Sequence, residues 1–243
     1  MTTPPTPPPP PTSPPSGTPT TIRVLLADDE EMIRHGVRMI LQHAEGIEVV
    51  GEAVNGAEAV TLAAELRPDV ALVDIRMPVL DGLAAIGPLI ALDPKPQVVM
   101  LTTFGDEENV TRALESGAGG FLLKDEGPDE LIRAVRAAAV GDAVLSPGVT
   151  GTVIKRMLQG GTSAAPASAT GPAAAQDRLA ALTDRERQVL AMLGAGLPNL
   201  EIGLRLGIGV GTVKTHVAAV LDKTDSDSRV QAALLAHRAG LAS

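Results

Sequence analysis

The sequence contains no cysteine, no tryptophan and no tyrosine, and only two phenylalanines in 243 residues. The first absence excludes disulfides, thiol catalysis and cysteine metal centres. No run approaches the ~18 apolar residues that a membrane span requires. The N-terminus also lacks the basic-then-apolar layout of a secretory signal. A cytoplasmic protein without membrane contact is therefore expected. Basic groups are scarce too, and the net charge is −9. That average conceals an asymmetry: residues 1–176 carry 12 basic and 22 acidic groups, whereas 177–243 carry 8 and 7. The acidity belongs to the front of a chain with room for two modest domains.

Residues 1–20 are half proline, with Ser, Thr and Gly making up most of the rest. Such a segment cannot bury a core and reads as an extended, disordered tail. The stretch Val70-Ala71-Leu72-Val73-Asp74 then has the look of a strand buried on both faces of a parallel sheet. Ligands of open α/β sheets bind at the carboxyl ends of the strands, which places Asp74 at a functional rim. Taken alone, Asp74 is as readily a turn-capping residue. It is not alone, because the earlier strand Ile22–Ala27 runs into Asp28-Asp29. Three carboxylates at one sheet edge repel one another unless a cation sits among them. Mg2+ is the natural candidate, since it takes hard oxygen ligands and keeps positions open for phosphate oxygens. Two more apolar runs end in Thr102 and Lys124. Carboxylates, a hydroxyl and an amine together suit phosphoryl transfer.

Residues ~22–142 resemble a response-regulator receiver domain. The pair Asp28-Asp29, the signature Asp74-x-x-Met77-Pro78-x-x-Asp81-Gly82, Thr102, Phe121 and Lys124 follow the family's order and spacing. The resemblance implies that Asp74 accepts a phosphoryl group from a histidine kinase. It also implies that Asp28, Asp29, Asp74 and the backbone carbonyl of Arg76 hold Mg2+. Thr102 and Lys124 would bind the phosphoryl oxygens, and Phe121 would be the aromatic that turns inward on activation. Arg76 and Phe104, two residues beyond Asp74 and Thr102, occupy positions that tune hydrolysis in such domains.

Helical periodicity appears over Glu31–Gln42, and Asn55-Gly56-Ala57-Glu58 is a capping-box pattern opening a helix to about Leu66. A third helix follows Gly82, but Gly87-Pro88 inside it predicts a short or kinked element. A fourth spans roughly Glu107–Ser116, and Pro128 suits the first position of a fifth that stops at Gly141. Five strands alternating with five helices give a doubly wound, flavodoxin-like α/β domain over 21–142. Residues 143–180 read as a short helix followed by a flexible Gly/Ala/Ser/Pro linker.

The final segment, 181–243, opens with a capping box in which Thr183 is the N-cap and Glu186 its reciprocal partner. Asn199 reads as the cap of a second helix ending before Gly207, and Thr212–Lys223 as a third. A fourth runs from about Arg229 to Arg238. Short helices joined by a glycine-containing turn have a helix-turn-helix layout. This all-α domain resembles the LuxR-type helix-turn-helix. Leu182-Thr183-x-Arg185-Glu186, Val189-Leu190, Asn199-x-Glu201-Ile202, Gly211-Thr212-Val213-Lys214-Thr215-His216 and Lys223 carry the likeness. The whole chain thus resembles response regulators of the NarL/FixJ type. The resemblance implies duplex DNA as partner, through Lys214, Thr215, Thr212, Ala218, Lys223 and Asn199, and a two-fold promoter site bound by a homodimer. It implies no enzyme beyond its own phosphorylation.

Departures are concentrated in this second domain. Leu200 stands where a basic residue is usual, Gly203 where alanine is usual, and Gly209 where a serine caps the recognition helix. Thr224 and Asp225 replace a core leucine and a turn glycine. One lysine on the expected DNA face predicts weak binding by a single copy, because phosphate contacts supply most non-specific affinity. An alternative is a signalling adaptor whose helical domain contacts protein instead.

Overall fold

The computed structural model describes residues 21–103, 107–145 and 178–241. The proline-rich tail and the expected linker helix beyond residue 145 lie outside the described residues. The first unit is a parallel sheet of β1 (Ile22–Ala27), β2 (Ile47–Ala53), β3 (Val70–Asp74), β4 (Gln97–Thr102), β5 (Gly120–Leu123) and β6 (Val144–Leu145). Its strand order is β2-β1-β3-β4-β5-β6. The first five strands have the flavodoxin-like order, whose reversal of direction at β1/β3 opens the ligand crevice. The two-residue β6 pairs Gly120 with Val144 and Phe121 with Leu145. It is a sixth strand where the sequence suggests the start of a helix. Two residues are too few to show a period, so local pattern could not reveal it.

Every residue of β3 is buried, as expected of a strand covered on both faces. Alternation along β1 sends Leu25 and Ala27 to one core and Val24 and Leu26 to the other. The first core lies beneath α2 (Gly56–Leu66), α3 (Gly82–Ile90) and α4 (Glu107–Glu115). The second lies beneath α1 (Glu31–Gln42) and α5 (Pro128–Ala139).

The helix ends follow local chemistry. Asn55 caps α2 by accepting from the Glu58 amide at 2.9 Å, while Glu58 reaches back to the Val54 amide, one residue before the cap. Helix α3 is short, at nine residues, and stays helical through Pro88. Asp81 caps it, accepting from the Ala84 amide at 2.7 Å. Pro128 occupies the start of α5, where a missing N–H costs nothing.

The second unit comprises α6 (Asp184–Gly194), α7 (Asn199–Leu206), α8 (Val210–Thr224) and α9 (Arg229–Arg238). The Thr183/Glu186 capping box is formed in both directions. Asn199 is not the cap of α7, however; Pro198 is, and Asn199 is the first helical residue. Helix α8 begins two residues earlier than the pattern suggests, with Gly209 as its cap. Helices α7 and α8 meet at 105°, within the range of a helix-turn-helix. Gly203 has a packing reason: a β-carbon there would lie 2.8 Å from the Ile208 carbonyl oxygen. Thr224 is buried and its hydroxyl donates to the Val220 carbonyl at 2.7 Å. Asp225 adopts a left-handed conformation, φ 52°, which Asp tolerates better than most residues.

Candidate phosphoryl-acceptor site and nucleic-acid face

Parallel pairing brings the ends of β1, β3, β4 and β5 to one edge of the sheet. Asp28 follows β1, Asp74 ends β3, Thr102 ends β4 and Lys124 follows β5. The Lys124 amide donates to the Thr102 carbonyl at 2.7 Å, which extends the β4/β5 ladder and brings both side chains to the crevice. A cavity of about 210 Å³ there is lined by Asp29, Glu30, Asp74, Arg76, Thr102, Thr103 and Lys124.

The electrostatic centre is Lys124. Its Nζ lies 2.8 Å from Asp28 Oδ2, 3.1 Å from Asp74 Oδ1 and 3.6 Å from Glu30 Oε1. Asp28 is wholly buried and Asp74 nearly so. Burial pushes the Asp74 carboxyl above its ordinary value; Lys124 opposes this and the Asp28 charge adds to it. For Lys124, burial disfavours the ammonium, but the two carboxylates outweigh it and the pKa is raised. The amine is therefore charged at neutral pH. A second tier holds Asp28: its Oδ1 accepts from the Glu30 amide at 2.9 Å, and its backbone carbonyl accepts from Arg34 at 2.8 Å. Arg34 is itself tied to Glu52. Glu30, Arg34 and Thr103 escaped the sequence reading. For Glu30 the signal was its place directly after the acidic pair.

Asp28, Asp29 and Asp74 each present an oxygen within 4.8 Å of the other two. Asp28 Oδ2 is buried and faces the Lys124 ammonium at 2.8 Å. Three hard oxygen donors gathered this closely fit a small divalent cation.

Each of the last two members of the Asp74 signature has a structural reason. Asp81 caps α3, and a β-carbon on Gly82 would lie 1.9 Å from the Asp74 carbonyl oxygen. Just ahead of them the chain makes a three-residue turn, with the Leu80 amide donating to the Pro78 carbonyl at 2.8 Å. Val79 at its centre has φ 67°, a strained conformation for a β-branched residue. Phe121 is already wholly buried in the core beneath α2, α3 and α4. An inward turn of its ring thus has no outward starting point in this arrangement. Phe104 lies outside the described residues.

In the second unit, Thr212, Lys214, Thr215 and Ala218 are all exposed along α8. The other two expected DNA contacts are engaged elsewhere. Lys223 Nζ pairs with Glu186 at 2.7 and 2.8 Å, which joins α8 to the capping box of α6. Asn199 is 2 % exposed and bonded to the first unit. Its position in a motif could not distinguish a DNA contact from an interdomain one.

Residues 24–136 match the response regulator receiver domain, and residues 180–236 match the bacterial regulatory proteins of the luxR family. The chain is 40 % identical to the transcriptional regulatory protein LiaR of Bacillus subtilis (strain 168), over 89 % of this chain and 97 % of that one. The chain belongs to the response-regulator family. The nitrate/nitrite response regulator protein NarL of Escherichia coli (strain K12) is 39 % identical over 88 % of this chain and 94 % of its own. A solved LuxR-family two-component response regulator from Aurantimonas sp. SI85-9A1 aligns with a TM-score of 0.54 at 28 % identity. It covers 57 % of this chain and 99 % of its own. This response regulator thus joins a receiver to a LuxR-type helix-turn-helix and is a transcription regulator.

Proposed function

We propose that the response regulator accepts a phosphoryl group on Asp74 from a histidine kinase in the cytoplasm. The phosphorylated protein then binds a two-fold promoter site as a homodimer. The observation that carries this reading is Lys124 bridging Asp28 and Asp74 beside Thr102 in the crevice. An Asp74 carboxylate oxygen attacks phosphorus, the bond to the kinase imidazole nitrogen breaks, and an acyl phosphate forms. The Lys124 ammonium compensates charge on the transferred group, and the Thr102 hydroxyl donates to one of its oxygens. Asp28, Asp29, Asp74 and the Arg76 carbonyl would hold Mg2+, which when bound neutralises charge on the phosphoryl oxygens.

On DNA, α8 enters the major groove with Thr212, Lys214, Thr215 and Ala218 outward. A single lysine on that face gives one copy little non-specific affinity. Pairing two copies makes the second contact intramolecular and raises avidity without new contacts. The test of the first step is intact-mass measurement after incubation with acetyl phosphate and Mg2+. The parent should gain one phosphoryl group and Asp74→Asn none. Equal labelling of the two would move the acceptor away from Asp74.

A further inference from the structure

The two units meet at the edge of the sheet opposite the acceptor site. The loops before β4, before β5 and after α5 lie there, at the starting ends of parallel strands. Lys95 in the first donates to the Asp227 carbonyl at 3.2 Å. At the second, the Glu115 carbonyl accepts from Gln231 at 2.9 Å. Gly117, φ +99°, leaves room for Asp227, since a β-carbon there would lie 2.7 Å from the Asp227 Cβ. Val230 and Leu234 of α9 pack on the first core of the receiver.

The strongest contacts are polar and cluster at the third loop. Arg229, 7 % exposed, donates to Asp142 Oδ1 at 2.7 Å and to the Gly141 carbonyl at 3.2 Å. Within its own unit Arg229 also donates to Asn199 Oδ1 at 3.0 Å and to the Leu197 carbonyl. The Asn199 amide donates to the same Asp142 oxygen at 3.0 Å, and its side-chain amide donates to the Val140 carbonyl at 3.0 Å. Helix α7 has no side-chain cap of its own; Asp142 of the receiver satisfies one of its orphan N–H groups. The carbonyls that follow α5 meet the start of α7 and a buried cation, so opposite ends of two helix dipoles face each other.

We propose that Asp142, Arg229 and Asn199 form a latch holding the helix-turn-helix unit against the receiver. Opening it leaves Arg229 without its carboxylate and the first turn of α7 without its borrowed acceptor. The latch does not cover the recognition face, because Thr212, Lys214, Thr215 and Ala218 remain exposed while it is closed. It restrains where that face points. Helices α4 and α5, whose far ends touch the second unit, directly follow the strands leading to Thr102 and Lys124. On the phosphorylation reading above, the latch therefore sits at the end of α5, which follows Lys124, and the Gln231 contact beside it sits at the end of α4, which follows Thr102.

The absence of native cysteine permits clean paired spin labelling of the full chain, at cysteines introduced for the exposed Ala64 and Gln188. Electron-resonance distance distributions would be compared for the parent, Asp142→Asn and Asp142→Ala. Among the described residues, all side-chain bonds of Asp142 cross to the second unit, so neither change removes a bond within the receiver. The parent should give one narrow distribution. Asp142→Ala should lower the ratio of docked to open molecules at least tenfold, about 1.4 kcal/mol, and Asp142→Asn should lower it less. An Asp142→Ala distribution as narrow as the parent's overturns the latch. Neither DNA nor phosphate enters the measurement, so its failure leaves the assignment of Asp74 standing, and the converse also holds.

Discussion

Replacing Lys124 by methionine keeps much of the aliphatic stem and removes the cation between Asp28 and Asp74. At 2.8 and 3.1 Å, each attraction has a gross strength on the order of 5–6 kcal/mol at an effective dielectric of about 20. The desolvation of three groups offsets much of that. Breaking a buried pair by removing one partner typically costs about 3–5 kcal/mol. Protonation sets a ceiling: neutralising a carboxyl of ordinary value 3.8 at pH 7 costs roughly 4 kcal/mol at about 1.36 per unit. We therefore expect the receiver of Lys124→Met to lose about 3–4 kcal/mol at neutral pH. In the variant the Asp74 carboxyl loses the ammonium that opposes burial and rises further above its unfolded value. The loss is thus complete above that raised folded-state value and fades as pH falls toward about 4. Both phenylalanines, Phe104 and Phe121, lie in the receiver. Urea unfolding followed by near-ultraviolet phenylalanine ellipticity therefore reports on that domain. A loss under about 1 kcal/mol, or one equal at neutral and acid pH, would refute the charge-bridge argument.

Three further outcomes are expected. Glu186, held by Lys223 and the Thr183 amide, has its pKa lowered from 4.5 to about 2. Its contribution to the second unit is complete above 4.5 and disappears as pH falls toward about 2. Acid titration of far-ultraviolet ellipticity should show that dependence weakened in Glu186→Gln, and an unaltered profile would count against the pairing. Gly82→Ala puts a methyl 1.9 Å from the Asp74 carbonyl oxygen and should destabilise the receiver by about 2–3 kcal/mol while slowing acetyl-phosphate labelling; urea midpoints and labelling rates check both. Arg76 lines the cavity beside Asp74, so Arg76→Ala should lose its phosphoryl group faster than the parent, and loss at the same rate would remove Arg76 as a shield against water.

Most of the receiver was legible because its signals are local and mutually consistent. A strand buried on both faces must be apolar throughout, and Val70–Val73 ends abruptly in Asp74. The carboxylates, Thr102 and Lys124 each terminate such a run, so parallel pairing alone brings them together. Pro128 and the Thr183/Glu186 box likewise announce helix starts. The misses arise where tertiary structure decides. β6 exists because Gly120 and Phe121 offer it an edge, not because two residues prefer extension. Asn199 carries cap chemistry, yet Pro198 takes the cap position and Asp142, 57 residues earlier, takes the role of acceptor. Lys223 reads as a DNA contact, and local pattern gives no sign of its pairing with Glu186 on another helix. Arg229 shows in the sequence only as the first residue of the fourth helix, since its partners come from separate parts of the chain. The Gly203 departure was visible without its reason, the nearby Ile208 carbonyl.

If phosphorylation of Asp74 switches the LuxR-type domain onto DNA, selection of bound sequences from random duplex DNA will separate the two states of the acceptor. The full-length protein would be compared with Asp74→Asn, each with Mg2+ and beryllofluoride as the phosphoryl stand-in. Enrichment of a two-fold motif by the activated parent, and not by Asp74→Asn, is the predicted result. Equal enrichment by both, or none by a parent that still labels on Asp74, would contradict the claim.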